Sequence, residues 1–110
     1  MIISSSIPAQ LLIDRYWRST LYLFMNHSKL QHFLTPKYFD FEEGSIEVTA
    51  LKRIAKPWSK SERFMLDLAF HLYNEQHIVN LSDMDYLDDR NRALAMDAIR
   101  LRFFRKQANI

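Results

Sequence analysis

The side chains able to do chemistry are few and scattered. Asp83, Asp85 and Asp88 stand in the order Asp-x-Asp-x-x-Asp, which superficially matches the start of a calcium-binding loop. Such a loop needs glycine at its sixth position and a bidentate glutamate at its twelfth, and those positions hold Asp88 and Leu94. The run therefore reads as a solvated acidic turn leading into a helix. His27, His32, His71 and His77 lack the i, i+4 helical pairing of zinc proteases and read as hydrogen-bonded structural or surface residues. The absence of cysteine removes thiolate catalysis and cysteine-based zinc sites. A single glycine excludes glycine-rich phosphate loops and the nucleophile elbow. Two acids have a suggestive setting, Asp40 between Phe39 and Phe41 and Asp67 on the polar stripe of an apolar helix. Both read as partners in structural ion pairs ahead of acid–base catalysts. No catalytic residue, metal ligand or cofactor is assigned, and the expectation is a protein that is not an enzyme.

Arg102 falls in the middle of an otherwise apolar helical arc. Three readings are open. Its stem covers apolar surface while its head reaches water; it is buried and paired with an acid such as Asp67 or Asp40; or it lines a ligand pocket. The structural ion pair Arg102–Asp67 is carried forward. The remaining cations are unevenly placed. Residues 1–50 hold four Lys/Arg against five Asp/Glu, a net of −1, and residues 51–110 hold eleven against eight, a net of +3. Lys52, Arg53 and Lys56, with Arg100, Arg105 and Lys106, form the candidate nucleic-acid surface. The arginines of the last helix do not share one face, which makes this the alternative rather than the leading reading. The aromatic content is 14% in 110 residues, more than a domain of this size easily buries. Trp17, Leu21, Tyr22 and Met25, with Trp58, are the candidate partner-binding residues, because exposed aromatic clusters mark protein interfaces. Tight core packing is the competing account of the same side chains.

The elements that must position these residues follow from hydrophobic periodicity. A first helix is predicted from about Pro8 to Met25, with Ser6 as N-cap and Pro8 in its first turn. Leu12, Ile13, Tyr16, Trp17, Thr20, Leu23 and Phe24 share its apolar face; Asp14, Arg15, Arg18 and Ser19 take the other. A short apolar piece spans Leu30 to Leu34 and stops at Thr35-Pro36. The runs from Tyr38 to Phe41 and Ile46 to Thr49 flank the only glycine and read as a hairpin that must lie against helices. Ser59-Lys60-Ser61-Glu62 is a capping box opening a helix to about Asn74. A helical turn at Ser82–Leu87 precedes a last helix from Asp88 or Asp89 to about Arg105. The residues before Asp14 lack a basic leader pattern, and Asp14, Arg15 and Arg18 interrupt the apolar run that follows. Neither a secretory signal nor a membrane span is read, and the expected location is the cytoplasm.

The second half carries a resemblance. Leu68-Ala69-Phe70-His71-Leu72-Tyr73-Asn74, then Leu87-Asp88, Asn91, Leu94-Ala95, Ala98-Ile99 and Leu101-Arg102-Phe103, resemble a small family of uncharacterised Firmicute proteins, domain of unknown function family 6075. Asp40-Phe41-Glu42-Glu43-Gly44-Ser45-Ile46 is similar to that family's central hairpin, so the likeness covers about Tyr38 to Phe103. It implies a compact helical domain of bacterial or phage origin with Arg102 in its pattern, and no reaction, cofactor or ligand. The fold expected is a single mainly α (α+β) domain over residues 1–110, a compact bundle of three main helices with a small β-hairpin between the first and second. The function expected is a regulatory protein-interaction module that binds a protein partner or forms a homodimer. Nucleic-acid binding is the alternative, with no membrane and no metal.

Overall fold

The chain is seen in a computed structural model that describes residues 7–104. Five α-helices are present among them: α1 (Ala9–Ile13), α2 (Arg15–Asn26), α3 (Val48–Ile54), α4 (Lys60–Tyr73) and α5 (Asp89–Phe103). Two 3-10 helices, Leu30–Phe33 and Leu81–Tyr86, and two strands, β1 (Phe39–Asp40) and β2 (Ser45–Ile46), complete the set. The three long helices α2, α4 and α5 form the bundle, with α2 packed against both others. The hairpin lies between α2 and α4 in the chain, as expected. No helix is long and apolar enough to cross a membrane among the described residues.

The predicted first helix is two. Asp14 breaks it by adopting an extended backbone, φ −78° and ψ 119°, and capping α2. Its Oδ1 accepts from Tyr16 N–H at 2.9 Å and Trp17 N–H at 3.3 Å. Aspartate is among the best residues for that position, since its carboxylate satisfies amides the helix leaves bare. The proposed cap Ser6 lies outside the described residues, and Pro8 stands at the N-cap of α1. Ser19, assigned to the polar side, is fully buried, and its hydroxyl donates back to the carbonyls of Arg15 and Tyr16 at 2.9 and 3.1 Å.

The hairpin is shorter than the sequence suggested. Phe39 pairs with Ile46 and Asp40 with Ser45, antiparallel. Gly44 takes the turn position at φ +70°, where a side chain would be strained. Asp40 acts here as a turn former rather than an ion-pair partner: its Oδ1 accepts from the amides of Glu42 at 3.1 Å and Glu43 at 3.0 Å. Val48 and Thr49, read as strand, instead open α3. Val48, Leu51 and Ala55 recur at helical spacing, with Leu51 and Ala55 buried and Val48 packed on the core. Burial of that stripe outweighs the small helix penalty of two β-branched residues.

α4 begins with the predicted capping box: Ser59 Oγ accepts from Glu62 N–H at 3.2 Å, and Glu62 Oε1 accepts from Ser59 N–H at 3.1 Å. Seven of its side chains, from Phe64 to Leu72, are buried, as its narrow polar arc required. Asp88 caps α5 through Asn91 N–H at 2.8 Å. The described end of α5 is Phe103; the predicted end, Arg105, lies outside the described residues.

Candidate functional site

The aromatic surplus is mostly core. Trp17 is 8% exposed and Leu21 fully buried, so neither offers an interface. Trp17 meets Tyr73 edge-on at 5.1 Å and Phe41 at 6.2 Å, which locks α2 to α4 and to the hairpin. Phe24 does the same with Phe39 at 4.9 Å. Tyr22 is half-buried, and its hydroxyl donates to Asp97 at 2.9 Å, tying α2 to α5. Burial, then the hydrogen bond to Asp97, raise the Tyr22 hydroxyl above its ordinary pKa. Trp58 is half-buried against Phe33 at 5.5 Å, with Lys29 Nζ 5.1 Å over its ring. Of the five candidate partner-binding residues, Met25 alone is well exposed. The interface assigned to Trp17 and Leu21 is therefore corrected: both turn inward because α2 packs against two helices at once.

Large exposed apolar side chains lie elsewhere: Ile78, Leu81 and Tyr86 at and just before the second 3-10 helix, and a further group at the ends of α1 and α5. Ile13 at the end of α1 is 80% exposed, Phe103 at the end of α5 is 53% and Phe104 is 59%. Ile13, Phe104 and Leu101 line a cavity of about 210 Å³ together with Arg15, Arg18 and Arg102. Arg102 is 7% exposed, and its guanidinium lies flat-side near Tyr16, 3.8 Å from the ring centre, and 4.6 Å from that of Phe103. Its Nε–H has no hydrogen-bond partner. The ion pair with Asp67 does not form. Asp67 is half-buried on α4, its charge felt by Lys52, Arg63 and Asp83, and it lines cavities that share no residue with the Arg102 cavity. Burial raises the Asp67 carboxyl above its ordinary range, partly offset by Lys52 and Arg63. Of the three readings of Arg102, the cavity-lining one describes its surroundings.

The candidate nucleic-acid residues are divided. Lys52 on the exposed side of α3 and Lys56 in the turn after it line a cavity of about 300 Å³ with Arg63, Asp67 and Ile78. A second cavity, about 220 Å³, continues from Arg63 and Asp67 to Lys60, Asp83 and Tyr86. Arg53 is exposed but lines neither, and Arg100 is engaged with Asp97 at 3.1 Å. Arg105 and Lys106 lie outside the described residues. Lys60 sits over the Tyr86 ring at 4.6 Å and donates to its hydroxyl at 3.2 Å.

His27 and His71 take structural positions, while His32 is exposed. His27 is buried, and its Nδ1 accepts from the amides of Lys29 at 3.2 Å and Leu30 at 3.3 Å, capping the first 3-10 helix. Burial lowers its pKa below 6.5. His71 Nδ1 lies 2.8 Å from the carbonyl of His77. Among the described residues, no three His, Asp or Glu side chains converge as a metal site.

Ile13, Phe103 and Phe104 are not among the sequence candidates, and of the arginines beside them only Arg102 is singled out there. A signal was present: Phe103 and Phe104 are adjacent apolar residues at a helix end, where fewer neighbouring elements remain to cover both. Arg63, which lines both lysine-bearing cavities, is likewise absent from the sequence candidates. Compared with protein-family models, curated proteins and solved structures, the chain matches none. The family resemblance therefore rests on the sequence motifs quoted for it.

Proposed function

We propose that this protein is a non-enzymatic interaction module that binds a protein partner at the end of the molecule formed by Ile13, Phe103 and Phe104. One observation carries the reading: apolar side chains more than half exposed stand beside a cavity lined by three arginines. Elsewhere, most of the large aromatics pack on the core, Tyr86 being the exposed exception. Arginine and aromatic side chains dominate protein interfaces because they bury large area and make directional contacts on one site. The charge of the rim favours a partner segment with acidic side chains beside apolar ones. A regulatory role in a bacterial or phage setting rests on the family resemblance alone.

The test uses a random linear-peptide display library selected on the immobilised full chain. Peptides combining acidic and apolar residues are expected, with binding lost in Ile13→Ser and Phe104→Ser. Light scattering with size exclusion runs alongside, over a concentration series at low and high salt. A dimer abolished by the same substitutions makes the partner a second copy. A monomer from which no peptide is enriched overturns the proposal.

A second reading is favoured by the groove that carries Lys52, Lys56, Lys60 and Arg63 along α3 and α4. A nucleic-acid backbone could follow those cations, although Asp67 and Asp83 stand in the same groove. Phosphate binding there would weaken steeply with salt, whereas the apolar interface would barely change.

A further inference from the structure

We infer that the cavity lined by Arg15, Arg18 and Arg102 is a binding site for a phosphate-class oxyanion. This goes beyond the partner-binding reading and does not rest on it.

Arg102 states the problem. A guanidinium removed from water is costly unless it is paired and its N–H groups are satisfied. Arg102 is 93% buried by its 7% exposure, and its Nε–H is without a partner. The rings of Tyr16 and Phe103 meet the flat face of the cation, but a ring face satisfies charge and not an in-plane N–H. An oxyanion in the cavity supplies the full counter-charge that ring faces lack and accepts from the in-plane N–H groups of the guanidinium that reach it. Arginine is suited to it, because its planar fork matches two oxygens of a carboxylate or phosphate.

The surroundings narrow the class. No Asp or Glu is among the described residues that line the cavity. Arg15 opens α2, Arg18 follows within its first turn, and Arg102 arrives from α5, so two rigid elements hold the cations in place. More than one guanidinium on one cavity suits a dianion, which phosphate is near neutral pH and a single carboxylate is not. Size agrees: about 210 Å³ is below the range of roughly 300–1,000 Å³ that holds drug-sized ligands. Ile13, Leu101 and Phe104 form an apolar wall, which strengthens a charged hydrogen bond by excluding water. The same wall leaves room for a small apolar group esterified to the phosphate.

The experiment follows the arginine Nε–H resonances of the full ¹⁵N-labelled chain, in a phosphate-free buffer at constant ionic strength. Inorganic phosphate, phenyl phosphate, acetate and chloride are titrated separately. Saturable shifts of the Arg102 and Arg15 Nε–H signals are expected with phosphate, weaker ones with acetate and none with chloride. Tighter binding of phenyl phosphate assigns the ligand as a phosphate ester; equal or weaker binding assigns free phosphate. Arg15 is exposed, so Arg15→Gln keeps the fold and should weaken phosphate binding about tenfold, the loss of one charge-assisted contact. Arg102→Lys, if it folds, retains charge but loses the fork and should bind more weakly than the native chain. Shifts no larger than those from chloride, or unchanged affinity in Arg15→Gln, overturn the inference.

Discussion

The contact between α2 and α4 and the end where Ile13 and the last turn of α5 flank the arginine cavity treat polar groups in opposite ways. At the first, every polar atom drawn into apolar surroundings has found a use. Thr20 Oγ1 lies 3.0 Å from the Tyr16 carbonyl and 2.9 Å from that of Ala69, so one hydroxyl links two helices at the centre of the core. Ser19 is back-bonded within α2, and His27 caps the turn that follows it. At the other end, Arg102 is as buried as Trp17, yet its Nε–H is unsatisfied, and Ile13, Phe103 and Phe104 face water. The first region is arranged for stability alone. The second holds groups that stability does not explain, the kind of compromise expected of the binding site proposed for it.

Breaking the first region should have the largest effect. Trp17→Ala removes the ring that joins α2, the hairpin and α4, and should cost about 3–5 kcal/mol in urea unfolding. That is a large share of a small domain's stability. A loss under about 1 kcal/mol, the scale of surface substitutions, would mean that Trp17 is not core after all. Thr20→Val keeps the shape but removes the hydroxyl proton, which can serve either carbonyl but only one at a time. A cost of about 1–2 kcal/mol is expected by the same assay, because a buried carbonyl loses its donor.

The sequence shows the first region far better than the second. α4 was legible in full, since a capping box and a wide apolar arc are both local patterns, and Asp88 announced α5 in the same way. α3 was not, because Val48 and Thr49 favour strand locally and only tertiary burial of Leu51 and Ala55 decides for helix. Asp14 was legible as polar but not as a break, since a cap inside a periodic run depends on where the next helix packs. The fate of the aromatics was undecided for a related reason. Periodicity says that Trp17 and Leu21 lie on a face, and only the number of helices packed around α2 says that both faces are covered. The arginine cavity joins residues more than eighty positions apart, so no spacing could reveal it.

A pH series sharpens the comparison at His27. Burial holds its folded pKa below 6.5, with Arg90 and Lys29 acting in the same direction and Glu62 and Asp88 against it. Well above pH 6.5 the imidazole is neutral in both states and contributes nothing. As pH falls below 6.5 the unfolded chain takes up the proton first, so stability declines until the folded value is reached. His77, also lowered by burial, adds in the same sense. The urea midpoint should therefore drop between pH 7.5 and 5.5. His27→Asn, which keeps a capping acceptor and removes the titration, should flatten most of that drop. An equal slope in the variant would place the pH dependence elsewhere.

The smallest effect, and the one whose sign matters most, belongs to Arg102→Met. Methionine matches the unbranched stem of arginine, fits an irregular apolar site and brings no charge to desolvate. Replacing a paired buried charge by a well-packed apolar side chain is often neutral or stabilising. Arg102 has less to lose than a paired ion, since its Nε–H makes no bond and only its ring contacts go. In phosphate-free buffer the substitution should leave stability unchanged or raise it by up to about 1 kcal/mol, the gain in desolvation set against the lost cation–π contacts. Trp17, equally buried, would have lost several times that in the opposite direction. Adding phosphate should then stabilise the native chain and not the variant, because a ligand that binds only the folded state shifts unfolding by mass action. Were Arg102→Met instead to unfold the domain, Arg102 would belong with Trp17 among the groups that hold the bundle together, and the difference between the two ends of the molecule would disappear.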